Sequence, residues 1–146
     1  MRAATAVLGL GFGTMLALGV TAESAALLRA PGGWATFVGN ETGLAGTYLA
    51  LVMVLLVSRI PLVERVLGQD GLVRAHRRLA PWPLTLIAAH AFFLTIGYAQ
   101  AAHTGVWHEL GVLVGSFPDV LTATVGFGLM MAIGLVSIRA VRQRIP

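Results

Sequence analysis

Four stretches of this chain carry no Asp, Glu, Lys or Arg: residues 3–22, 42–58, 79–108 and 120–138. No other feature restricts the fold as much. A helix needs about 20 predominantly apolar residues to cross roughly 30 Å of hydrocarbon, and in lipid every backbone N–H and C=O has to be satisfied inside the spanning structure itself. With 57% of its residues hydrophobic and only 11% charged, the chain has the composition of a membrane protein. The expectation is an all-α fold, a polytopic membrane helical bundle with four transmembrane helices at about 3–28, 35–58, 79–102 and 119–139. The second run is short alone, and "WATFVGN" before it extends it, with Trp34 suited to an interface. The third run exceeds one span, so its end, "HTGVWHEL", reads as an external loop or interfacial turn carrying Trp107.

Charge then orients the helices. All ten basic residues are arginines. Arg2 precedes the first helix, Arg59, Arg65, Arg74, Arg77 and Arg78 fill the second connection, and Arg139, Arg142 and Arg144 follow the fourth helix. The other side has Arg29 alone. By the positive-inside rule both termini are expected in the cytoplasm, in a multi-pass protein of the plasma membrane. Clusters between apolar runs, rather than one basic stripe, argue against a nucleic-acid partner and for the lipid bilayer. The first run also has features of a signal peptide, a basic start and the small residues of "TAESA", but its removal would leave the charge pattern one helix short.

Absence of cysteine excludes disulfides, thiolate zinc sites and cysteine-ligated iron–sulfur clusters. "GLGFG" has the wrong spacing for a dinucleotide fingerprint and follows no strand. The glycine pairs Gly9/Gly13 and Gly111/Gly115 read as close helix packing or turns.

What remains is histidine. His76 and His90 are 14 residues apart, which on a helix is about 21 Å of rise and about 40° short of four turns, so they share a face. Leu79, Ala80, Pro83 and Ile87 lie between them on that face, and Leu94 and Gly97 continue it, an apolar surface suited to a flat hydrophobic ligand. A separation of this size excludes one shared metal ion, since zinc ligands sit about 2 Å from a single point. Two stacked haems fit it, each held by a neutral imidazole at its own depth. His90, in "LIAAHAFFL", is an ionisable residue deep in a span and a functional candidate by default. His76, beside Arg74, Arg77 and Arg78, also reads as a plain interfacial residue. His103 and His108 read as ordinary exposed residues of the external loop.

The segment "AHRRLAPWPLTLIAAH" resembles the third transmembrane helix of the ferric reductase-like transmembrane domain, the core shared by ferric reductases and NADPH oxidases. "SRIPLVERVLGQDGLVRAHRRLAPWPL" and "FPDVLTATVGFGLMMAIGLVSIRAVRQRIP" extend the likeness, which runs from about Gly43 to the C-terminus; the first helix fits in topology only. This resemblance implies two b-type haems, with His76 on the cytoplasmic-side haem and His90 on the outer one, and Arg74, Arg77 and Arg78 placed to pair with propionates through bidentate hydrogen bonds. It implies that residues 1–146 hold the four-helix, N-terminal portion of that domain, because the family's second histidine pair, on a fifth helix, would follow Pro146. FAD and NAD(P)H are expected on a further domain or a partner flavoprotein, in a homo- or hetero-oligomer. The implied function is to carry electrons from that cytoplasmic module across the bilayer to an external acceptor, as part of a transmembrane oxidoreductase once completed.

Two other classes stand beside this one. In the first, a cofactor-free small membrane subunit or scaffold, the histidines make only interhelical hydrogen bonds. In the second, a proton or solute carrier, His90 is a relay; this reading lacks support, because no Asp, Glu, Lys or Arg is expected inside any span to partner it.

Overall fold

The computed structural model describes residues 2–58 and 60–142, all helical apart from short connections. Arg59 and Arg144, two of the arginines behind the orientation, lie outside the described residues, as do the side chains of Arg2 and Arg142. In chain order the elements are α1 (Arg2–Ala22), α2 (Ala25–Arg29), α3 (Gly33–Val57), α4 (Pro61–Leu67), α5 (Gln69–Leu79), α6 (Pro81–Ala102), α7 (Val106–Ser116) and α8 (Pro118–Arg142).

Local chemistry sets these limits. Proline opens α4, α6 and α8, where its missing N–H costs no helical hydrogen bond. Ser24 caps α2 by accepting from the Leu27 N–H at 3.2 Å. Gly32 and Gly68 take positive φ, 76° and 68°, at the entries to α3 and α5. His103, at φ 54°, ends α6: its N–H reaches the Gln100 carbonyl and that of Thr104 reaches Ala99, the paired closure of a left-handed helix stop. Inside the apolar helices, hydroxyls turn back onto carbonyls one turn earlier, as Thr85 does to Pro81 and Thr95 to Ala91, both at 2.7 Å. These hydroxyl protons are thereby satisfied within their own helix.

Among the described residues, three helical stretches have the length and composition of membrane spans: Gly33–Val57 of 25 residues, Gln69–Ala102 of 34 and Pro118–Ser137 of 20. The expected fourth span is not among them. The segment expected to form it, α1, is helical over the 21 residues Arg2–Ala22. Several limits also differ from the expectation. The first helix stops at Ala22 rather than running to 28, the third is preceded by the amphipathic α5, and the region expected as a loop contains the helix α7. Pro81 separates α5 from α6, yet Ala80 between them keeps helical angles, φ −50° and ψ −39°, so the two stack into one long element.

The bundle is built on α3 and α6, which run antiparallel. Gly32 meets Gly97, Gly39 meets Leu94, Gly43 meets His90 and Gly46 meets Ile87. Small residues on one helix let the other approach to backbone contact, the packing mode available where lipid removes the hydrophobic drive between helices. Gly9, Gly13, Gly111 and Gly115 do not pack this way: a Cβ on any of them meets nothing within 4 Å. The spacing was right for a packing motif, but these glycines lie on helix faces that meet no neighbour. On the far side of α3, Tyr48 holds α1 by donating to the Leu8 carbonyl at 2.8 Å and stacking against Phe12 at 5.5 Å between ring centroids. α5 returns to α3 through Leu72, buried with Val52 and Leu56.

Candidate functional site

His90 sits on the face of α6 that meets α3, half-buried, with Nδ1 2.8 Å from the Gly39 carbonyl oxygen. A carbonyl only accepts, so Nδ1 carries the proton and donates, which leaves Nε2 as the ring nitrogen available for a ligand in the neutral form. The contact exists because α3 has glycine at 39 and 43; a Cβ on Gly43 would collide with the imidazole. A hydrogen bond from one ring nitrogen to backbone is the usual way a ligating histidine is held in one tautomer and orientation.

His76 lies on α5, also half-buried, on the wall of an open cavity of about 1230 Å³ between α3, α5, α6 and α8. Met53, Leu72, Pro83 and Ile133 make much of that wall apolar, and Arg77, Glu64 and Gln69 bring polar groups to it. The helical continuity at Ala80 keeps His76 and His90 about 21 Å apart in rise, as the spacing implied. The apolar face between them is divided, however. Ala80 and Pro83 line the cavity, whereas Gly46 covers Ile87, Gly39 covers Leu94, and Gly97 faces Thr36. A flat ligand finds open surface at the His76 end only, because the glycines of α3 bring that helix down onto the rest.

Of the three arginines singled out, all exposed, Arg77 lines the cavity and Arg74 and Arg78 do not. His103 and His108 are exposed, the first as the stop of α6 and the second on α7. One charged residue was missed inside a span: Glu41 lies on α3, where its carboxylate abuts Gly19 of α1. It occupies the face of α3 away from His90, whose partner is the Gly39 carbonyl.

Haem requires from the protein one or two axial nitrogen donors and a slot for a flat macrocycle. The cavity beside His76 fits that demand in volume and lining, with Arg77 at its wall for an anionic edge. At His90 the ring is oriented by its bond to Gly39, but α3 covers that face and leaves no open slot for a macrocycle. Among the described residues no three His, Cys, Asp or Glu side chains converge to hold a bare metal ion.

Three helices with the length and apolarity of membrane spans, packed through glycines, define a multi-pass α-helical membrane protein. Residues 42–146, which contain both histidines, match the model of the family described as ferric reductase like transmembrane component. The chain belongs to that family. No curated protein and no solved structure matches it.

Proposed function

We propose that this chain is the haem-binding electron-transfer portion of a ferric reductase-like oxidoreductase in the plasma membrane, taking electrons from a flavin- and NAD(P)H-binding module and delivering them to an acceptor on the opposite side. Family membership supports the class of activity. The observation that carries the cofactor is the pairing of His76 on the wall of a largely apolar cavity with His90, oriented through Nδ1 by the Gly39 carbonyl, about 21 Å away in helical rise. When bound, haem supplies a one-electron carrier whose potential the protein tunes through ligands and burial. His76 would offer a ring nitrogen to haem at the cavity, Arg77 would offer its guanidinium to a carboxylate there, and the apolar side chains of the wall would pack against the macrocycle. His90, oriented by Gly39 and seated on Gly43, would offer the second ring nitrogen deeper in the bundle, on a face that α3 covers. Arg74 and Arg78, off the cavity wall, belong to the arginine-rich boundary of the bundle.

One observation favours the cofactor-free reading at a single position: the bond from His90 to Gly39 already joins α6 to α3. Optical absorption of the protein purified from membranes separates the two. A Soret band with reduced-minus-oxidised α bands of b-type haem is expected; a spectrum with protein absorption alone, after expression with haem supplied, would leave the histidines as helix-joining residues.

The proposed orientation has both termini in the cytoplasm and α1 as a fourth crossing. A reporter active only in the cytoplasm is expected to work when fused after residue 146 and to be silent at Thr104, between α6 and α7. The reverse pattern would invert the bundle and exchange which histidine lies nearer the cytoplasm.

A further inference from the structure

We infer that α5 and the start of α6 form a binding site for the headgroup of an anionic phospholipid, made by Arg74, Arg78 and Trp82. Helical angles at Ala80 carry one face across the junction, so residues 74, 78 and 82 follow each other one turn apart, about 6 Å in rise at each step. All three are exposed, Trp82 to 59%. None of the three lines the cavity, whose wall on these two helices centres on Leu72, His76, Ala80 and Pro83 and comes nearest the strip at Arg77 and Pro81. Cavity and arginine–tryptophan strip are therefore separate surfaces. Asp70, one turn before Arg74, is the acidic residue nearest in register on α5, and three arginines follow it.

The depth of the strip comes from helix register. Gly134 of α8 meets Leu84, and α8 runs antiparallel to α6, so Arg139 comes to the level of Leu79. From Leu79 to Tyr98, near where Gly97 meets the start of α3 beside Trp34, is about 28 Å of rise, close to the thickness of hydrocarbon. Arg78 thus stands at the edge of the apolar layer, Arg74 one turn out among headgroups, and Trp82 one turn in, the depth at which indole rings anchor. Two guanidinium forks fit phosphate bidentately, while the indole packs on glycerol and upper acyl chain beneath it. A zwitterionic choline headgroup brings a cation against the arginines, so the site prefers a headgroup with net negative charge.

The test uses the full chain in vesicles of phosphatidylcholine with and without phosphatidylglycerol, followed by gentle extraction and a count of each lipid retained. The wild type is expected to retain phosphatidylglycerol preferentially. Arg74→Gln with Arg78→Gln should reduce that preference by roughly fivefold per arginine, and Trp82→Ala should weaken retention of both lipids. Arg74→Lys with Arg78→Lys should restore only part of the preference, since lysine keeps charge without the fork. Full restoration by lysine, or equal retention of the two lipids by the wild type, would overturn the site. Inorganic phosphate should fail to displace the lipid; displacement by phosphate alone would overturn the assignment to a lipid.

Discussion

Replacing His90 by alanine in the haem-loaded protein is expected to remove one of two haems and to abolish transmembrane electron transfer. Axial coordination is local, and about 21 Å of helical rise separates the two histidines, so the haem at His76 should remain. The packing cost should be small by comparison: the bond to Gly39 is a single interhelical hydrogen bond, worth about 0.6 kcal/mol on average in membrane bundles. His76→Ala should show the converse loss, less cleanly, because water and other ligands reach an open cavity. Haem per protein by pyridine haemochrome, with reduced-minus-oxidised spectra, gives the answer. Two spectrally normal haems in either variant would remove that histidine from the ligand set. Gly43→Ala offers an independent check, since its methyl group would displace the imidazole of an otherwise intact His90.

The largest effect on folding is expected from Gly32→Ala. Gly32 has φ 76°, where a residue with a Cβ pays roughly 1–2 kcal/mol, and its added methyl would overlap the Gly97 carbonyl. Backbone has no rotamer by which to move aside, so α3 and α6 must separate at that end. The yield of folded protein in mild detergent should fall severalfold, and thermal unfolding of what remains should shift down by many degrees. Gly9→Ala is the matched control: nothing lies within 4 Å of its Cβ, and alanine is the better helix former by about 1 kcal/mol in water. It should leave stability unchanged or raised. Equal tolerance of both substitutions would contradict the close approach of Gly32 to Gly97.

The two substitutions also mark the boundary of what could be read along the chain. "GNETGLAG", residues 39–46, holds small residues at 39, 43 and 46 as plainly as the first helix does at 9 and 13. Only the former meet another helix. A spacing rule reports that a helix has a small face, while contact depends on where the neighbour lies. Glu41 was passed over although the expected span of 35–58 contains it, because charge was weighed only within the run from Thr42; on α3 its carboxylate meets a glycine of α1.

Charge-free length determined, from the sequence alone, that the chain is helical and membrane-embedded, because no other structure satisfies twenty or more consecutive peptide groups within one segment in lipid. Residue spacing likewise determined that the two histidines lie about four turns apart on one face, since helix geometry is the same in every fold. Tertiary structure alone decided how that face is used. It closed the stretch from Ile87 to Gly97 under α3, left a cavity at His76, turned Arg77 toward that cavity and kept Arg74 and Arg78 off its wall, and gave the Nδ1 proton of His90 to Gly39. Each of these is a meeting of groups from different helices, tens of residues apart in sequence, set by how closely glycine lets two backbones approach.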